Sequence, residues 1–237
     1  MTALARGGNP AQPLEALAAQ AARELADATA EEIVQWAADT FDDRLCVTSS
    51  MTDAVLIHLA SAAQPGIDVI FLDTGYHFAE TIGMRDAVAV MYPVNVVNVT
   101  PARTVAEQDA EFGERLYARD PDFCCAMRKV RPLERALEPY DAWITGVRRD
   151  ETPSRRNAKA VEWDARRQMV KVNPIVSWSQ EQVDAYIEAY GILVNPLVFD
   201  GYPSIGCATC TLRIAPGADP RSGRWAGTGK NECGIHD

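Results

Sequence analysis

The chain has 237 residues, 47% of them hydrophobic and 24% charged, and its 23 Lys and Arg against 33 Asp and Glu give a formal net charge of −10. That suits one soluble domain, or one domain with an appendage, with enough chain for a sizeable core. The acidic balance speaks against coating nucleic acid or a membrane surface. No apolar run approaches the ~18 residues of a bilayer span, and Met1 to Gln20 lack the layout of a signal peptide, so the expected setting is the cytoplasm.

Residues 1–30 read as an N-terminal helical segment: after a loose Gly-Gly-Asn-Pro start, Leu14 and Leu17 mark an amphipathic packing helix. From residue 31 short apolar runs alternate with helical stretches. Arg44–Thr48 is a predicted strand, followed by a helix over Asp53–Ala62. Asp68–Leu72 is a second strand, with a helix near Ala79–Val90, and Asn95–Val99 a third, with a polar helix over Val105–Phe112. A helix over Ala126–Leu137 leads into a fourth strand, Ala142–Thr145. Lys171–Val172 begin a fifth, and Ser179 opens a last helix, Gln180–Tyr190.

Strands alternating with helices at this spacing predict an α/β fold with a mostly parallel sheet, occupying residues 31–205. Ligands bind such sheets beyond the carboxyl ends of the strands. This singles out Ser49–Asp53, Asp73–His77 and Gly146–Arg156. Beyond Asn195-Pro196 the chain is rich in Gly and Pro, so residues 206–237 are expected to be a mobile tail.

Six cysteines stand at 46, 124, 125, 207, 210 and 233. In a cytoplasmic protein such a set points to metal or redox chemistry rather than structural disulfides. Cys124-Cys125 and Cys207-Ala208-Thr209-Cys210 supply four thiolates, enough for a tetrahedral zinc or a [4Fe–4S] cluster, and spacing alone leaves that choice open. Buried apolar cysteines are the plainer reading, and Cys46, inside a strand, is assigned to it. Cys233 lies among glycines near Lys230 and His236, after Arg221 and Arg224. Nearby cations favour the thiolate, so Cys233 reads as a nucleophile rather than an incidental thiol.

Arg148, Arg149, Arg155 and Arg156 follow the fourth strand, where guanidinium groups can bind phosphate or sulfate oxygens; a solvated charge run is the alternative. Ser49 and Ser50 precede a helix and read either as anion donors or as an ordinary cap. The loop is not a Walker A loop, having neither its glycines nor its Lys. His58 reads as a packing residue and His77 as a loop residue with no assigned role.

Taken together, Phe71-Leu72-Asp73-Thr74-Gly75, Cys124-Cys125-Ala126-Met127-Arg128-Lys129, Thr145-Gly146-Val147-Arg148-Arg149, Gly206-Cys207-Ala208-Thr209-Cys210 and Glu232-Cys233-Gly234-Ile235-His236 resemble the assimilatory adenylylsulfate (APS) reductases of the phosphoadenylylsulfate reductase family. The likeness runs from about Arg44 to the C-terminus. It implies an adenine-nucleotide α-hydrolase-like (PP-loop) sheet and a [4Fe–4S] cluster on Cys124, Cys125, Cys207 and Cys210. It also implies catalytic roles for Cys233, His236 and Lys129. The substrate-binding set is Ser49, Ser50, Asp73, Thr74, Gly146, Arg148, Arg149, Arg155, Arg221 and Arg224, with donor docking an alternative for the last two.

The implied reaction is reduction of adenosine 5′-phosphosulfate to sulfite and AMP through an S-sulfonated Cys233, which thioredoxin or a similar dithiol then reduces. The phosphate loop departs from the Gly-rich loop of the pyrophosphatase relatives, which speaks against ATP hydrolysis. Alternatives are use of the 3′-phosphorylated substrate or of both, and a non-catalytic iron–sulfur redox sensor. A sulfur-inserting enzyme acting on RNA would want an SGG-type loop and a basic surface, which this chain lacks. Oligomeric state is open, a homo-oligomer included.

Overall fold

The computed structural model describes residues 13–228, 230 and 232–236. The Gly-Gly-Asn-Pro start lies outside the described residues. The strands are β1 (Leu45–Thr48), β2 (Asp68–Leu72), β3 (Asn95–Val99), β4 (Ala142–Ile144), β5 (Val161–Asp164) and β6 (Met169–Val172). They form one sheet in the order β3-β2-β1-β4-β6-β5, parallel throughout except for β5, which runs antiparallel to β6 at the edge. The expected mostly parallel sheet is present.

Alternation along the strands gives the sheet two apolar faces. Leu45, Val47, Val69, Phe71, Ala142, Ile144, Val170 and Val172 join the larger core cluster. The helices α1 (Leu14–Glu24), α2 (Ala30–Phe41), α3 (Val55–Ala63) and α4 (Ala79–Met91) supply its other side. On the opposite face Cys46, Ile70, Trp143 and Met169 meet Leu133, Leu137 and, from the tail, Ile235. Cys46 is a core residue, as expected.

The helices α5 (Val105–Phe112), α6 (Leu116–Arg119), α7 (Pro121–Cys125), α8 (Arg131–Leu137) and α9 (Gln180–Tyr190) complete the element order. Thr104 and Ser179 close capping boxes at the starts of α5 and α9, which explains why both helices begin where the sequence predicts. Among the described residues, no helix is long and apolar enough to cross a membrane.

Several elements differ from the sequence expectation, the unanticipated short helices α6 and α7 among them. Helix α2 was not anticipated, although Ile33, Val34, Ala37 and Phe41 fall on one buried face. The expected fifth strand at Lys171–Val172 begins earlier, at Met169, and is the second arm of a hairpin whose first arm is β5; that edge strand is short and mixed in polarity, Val-Glu-Trp-Asp. The single helix expected over Ala126–Leu137 is a π-turn at Ala126–Val130 followed by α8. Pro132 has no N–H for the carbonyl of residue 128, so α-helical bonding cannot run unbroken through this point.

The expected mobile tail is seen in one docked arrangement. Thr211 bridges to Arg224, Trp225 is 4% exposed, and Ile235 packs on the second face of the sheet.

Stability should divide accordingly. Ile57 is fully buried in α3, so Ile57→Ala should cost about 2–5 kcal/mol. Thr104→Ala, which removes one cap bond, should cost about 1 kcal/mol. Urea unfolding checks this; equal losses at the two sites would contradict the assigned core.

Candidate functional site

The order β3-β2-β1-β4 reverses direction between β1 and β4, the switch point at which open α/β sheets bind ligands. The loops after those two strands are Ser49–Asp53 and Gly146–Arg156. Ser49 Oγ accepts from the Met51 N–H at 3.1 Å, and Ser50 Oγ lies 3.2 Å from Thr52 Oγ1. Met51 is fully buried at φ 59°, so the loop turns sharply and presents Ser50 outward. Across the crevice Gly146 is exposed, and a Cβ there would stand 3.3 Å from Leu56 Cδ1, so glycine lets this loop lie close to α3.

The arginines after β4 divide. Arg148 donates to Gln180 Oε1 at 2.7 Å, towards α9. Arg149 is exposed and donates to the Ala158 carbonyl at 2.8 Å. Arg155 turns to the tail, with Nη2 2.8 Å from Glu232 Oε2, and Arg221 reaches the same carboxylate oxygen at 3.3 Å. Asp73 accepts from the Gly75 N–H at 3.1 Å and lies 3.6 Å from Arg85. Its observed bonds shape the loop after β2.

A second centre is a cavity bordered by Cys124, Cys125, Cys207 and Cys210, with Tyr76 and Tyr117 on its rim. Residues four apart share a helix face, which sets Arg128 behind Cys124 and Lys129 behind Cys125. Thr74 is buried, and its Oγ1 lies 3.3 Å from Cys207 Sγ. The structure therefore places Thr74 against the cysteine cavity. Arg128, not singled out as a site residue from sequence, is 3% exposed. It donates to the Thr74 carbonyl at 2.5 Å and to Gln108 Oε1 at 3.0 Å. Its position one helical turn after Cys124 is the signal that could have found it.

Burial pushes the Cys124 thiol up to about 12 and Cys125 up to about 11; the neighbouring cysteines add to both rises, while Arg128 and Lys129 oppose them. Burial alone would lower the Lys129 ammonium, but Cys207, Cys233 and Cys125 raise it above its ordinary value. Lys129 thus stays charged beside sulfur. Arg224 is lowered by burial and by Arg221, against the pull of Cys233, Cys207 and Cys210. Its guanidinium stacks 4.5 Å from the Trp225 ring, and a Cβ on Gly206 would come within 2.3 Å of Arg224 Nη2. Glycine at 206 gives Arg224 its room.

Cys233 acts electrostatically on Lys129, Cys125 and Arg224, which puts its thiol in their neighbourhood. It also lines an open cleft of ≈ 630 Å³ together with Asp122, Ala126, Arg166 and Lys230. That cleft does not include Ser49, Ser50, Arg148 or Arg149, so it marks solvent access to the thiol rather than the switch-point crevice. His236 lies flat on Trp143, with ring centroids 5.7 Å apart and planes at 18°. Burial, then Lys171, Arg155, Arg167 and Arg221, hold its imidazole well below the ordinary value, so it is neutral at pH 7. His58 packs among tyrosines and meets Tyr186 Oη at 2.8 Å, as a packing residue should. His77 Nε2 is 2.7 Å from the Leu72 carbonyl, a local loop contact.

Among the described residues, no three His, Cys, Asp or Glu side chains are placed to share one metal ion. The four cysteines border one cavity, and four thiolates are the donor set of an iron–sulfur cluster or of a zinc ion.

The family profile for the phosphoadenosine phosphosulfate reductase domain matches residues 44–213. The chain is 61% identical over 225 residues to an adenosine 5′-phosphosulfate reductase of Streptomyces coelicolor, covering 95% of each chain. It is 59% identical over 223 residues to one of Mycolicibacterium smegmatis, covering 94% of each. Among solved structures it resembles a phosphoadenylyl-sulfate reductase of Candida auris, at 27% identity and TM-score 0.71, over 82% of this chain and 96% of that one. A yeast FAD synthetase shares the fold, at 13% identity and TM-score 0.53, over 87% of this chain and 70% of that one.

The raised thiols carry a pH signature. A higher pKa means less thiolate, so in metal-free protein at pH 8 Cys125 should alkylate on the order of a hundred times, and Cys124 on the order of a thousand times, more slowly than an ordinary thiol. Peptide mass spectrometry after timed iodoacetamide treatment measures this, and alkylation of the pair at the ordinary rate would contradict the described environment.

Proposed function

The chain belongs to the phosphoadenosine phosphosulfate reductase domain family, and from that premise we propose that it reduces adenosine 5′-phosphosulfate to sulfite and AMP. It is an oxidoreductase acting on a sulfur group. The observation that carries the reading is the docked tail, in which Arg155 of the loop after β4 and Arg221 hold Glu232, the residue before Cys233, while Lys129 and Arg224 feel the charge of that thiol.

The nucleotide lies across the switch point. Ser49, Ser50 and Gly146 face its phosphate end, and Arg149 is free to swing onto an anionic oxygen. Arg155 and Arg221 face the sulfate end. The Cys233 thiolate attacks the sulfate sulfur, a new S–S bond forms, and the bond from that sulfur to the bridging oxygen breaks. AMP leaves with the electron pair. Lys129 and Arg224 hold positive charge where negative charge gathers on the sulfonyl oxygens. Neutral His236, held flat on Trp143, is available to exchange a proton near the thiol. It can take the proton of Cys233 before attack and return it to the thiolate freed at the end.

The product of this step is S-sulfonated Cys233. A dithiol donor, of which thioredoxin is the proposed example, then attacks Cys233 Sγ. Sulfite departs, and the donor's second thiol resolves the mixed disulfide, returning Cys233 to the thiol. Two electrons come from the donor, and the cytoplasm, where dithiols stay reduced, is the proposed setting.

We further propose a [4Fe–4S] cluster on Cys124, Cys125, Cys207 and Cys210. Bound there, it would supply fixed charge and a rigid anchor for α7 and the start of the tail. The four-sulfur cavity with Lys129 behind it supports this reading. The alternative of a non-catalytic iron–sulfur sensor leaves Cys233, His236 and the Arg155 pair without roles. Use of the 3′-phosphorylated substrate is less favoured than APS by the relatives' names.

Protein incubated with APS should carry a sulfonate on Cys233, released when thioredoxin is added. Cys233→Ser should lose turnover while binding AMP as before. An unmodified C-terminal peptide, or turnover by the Ser variant, would contradict the reading. Cys207→Ser should lose the absorbance shoulder near ~400 nm and most activity; an active variant without that shoulder would remove the cluster from the account.

A further inference from the structure

Glu232 is next to the reacting thiol in sequence and has no part in the chemistry above. Its side chain is 16% exposed. Arg155 grips it in a two-pronged fork, Nε to Oε1 at 3.0 Å and Nη2 to Oε2 at 2.8 Å. Thr152 Oγ1 donates to Oε1 at 3.2 Å, and Arg221 Nη2 to Oε2 at 3.3 Å. Arg155 and Arg221 are themselves only 12% and 18% exposed. A two-pronged guanidinium–carboxylate pair fixes direction as well as distance. Here it fixes residue 232 against the loop after β4, one peptide unit away from the Cys233 sulfur.

The other tail anchors are of a different kind. Lys230, itself 10% exposed, pairs with Asp122, whose side chain is 81% exposed, and lies 5.6 Å from the Trp225 ring centroid. Arg167 donates to the Ile235 carbonyl at 2.8 Å, and His236 stacks on Trp143, both beyond the thiol on its C-terminal side. On the side from which the tail enters, Glu232 is the anchor next to the thiol and the one held by two guanidinium groups.

We propose that Glu232 is a positioning residue whose pairing with Arg155 and Arg221 latches the tail closed and holds Cys233 in its attacking position. This rests on the reading of Cys233 as the reacting thiol. The latch has a second consequence: Arg155 and Arg221 spend part of their positive charge on the tail, so loop and thiol are brought together by the same groups that face the substrate's anion.

The test uses the enzyme as purified with its metal, and three variants: Glu232→Gln, which keeps the shape and removes the charge, Glu232→Asp, which keeps the charge, and Glu232→Gln combined with Arg155→Ala. The first readout is the rate of Cys233 alkylation by neutral iodoacetamide, followed on the C-terminal peptide with buried Cys46 as internal control. Glu232→Gln should raise that rate about tenfold, the scale of a lost charge-assisted bond. The same variant should lower kcat for APS about as much while KM moves less than about twofold. Glu232→Asp should recover most of both. Adding Arg155→Ala should give no further rise in alkylation, because the two substitutions break one interaction. Wild-type alkylation and kcat in Glu232→Gln, with Cys233→Ser still dead, would overturn the latch alone. Turnover by Cys233→Ser would instead overturn the reading on which the latch rests.

Discussion

Lys129 and Arg128 stand inside the protein at 9% and 3% exposure, where a cation without compensation costs several kcal/mol. Arg128 is satisfied by neutral oxygens, the Thr74 carbonyl and the Gln108 amide. Lys129 is held above its ordinary value by sulfur, from Cys207, Cys233 and Cys125. That dependence joins parts of the chain that are remote in sequence: the π-turn after α7, the Cys207 loop and the tail. A lysine that needs thiolates, beside thiols that burial drives towards protonation, is a site whose charge balance closes when sulfur is negative. Thiolates ligating a metal, or the Cys233 thiolate before attack, would each meet that condition.

The proposed cycle asks the tail for two positions, inside for attack on the sulfonucleotide and outside for reduction by a dithiol. The structure shows the tail docked against the sheet and the loop after β4. Gly227 and Gly234, at φ of 81° and 78°, bracket Cys233 with backbone that only glycine adopts without strain. The anchors between them are ion pairs, those of Lys230 and Glu232, rather than a deep apolar core. A tail built this way can be ordered and still exchange.

Much of the fold was legible in the sequence because its signals are local. β2, β3, α5 and α9 fall where apolar runs meet a turn, or where Thr104 and Ser179 close a cap. β5 was not legible, since the edge strand Val-Glu-Trp-Asp has neither a continuous apolar run nor a hairpin turn of strong type. The π-turn was hidden in a sequence that reads as plain helix, and only Pro132 hinted at it. At the site, the cysteine pairs and the terminal thiol were legible from spacing. Arg128 was not, because its partners come from β2's loop and α5. The Arg155–Glu232 pair lies 77 residues apart, and sequence carries no signal for a contact that only folding makes. The tail, expected to be mobile from its Gly and Pro content, has a place to dock that composition cannot reveal.

The account stands on the thiol in the tail being the atom that takes the sulfonyl group from the nucleotide. Ending the chain after Lys230 tests this directly, by comparing sulfite release from APS and AMP binding in the shortened and full-length proteins. The shortened protein should bind AMP as before and release no sulfite. Sulfite formation at the full-length rate would contradict the account.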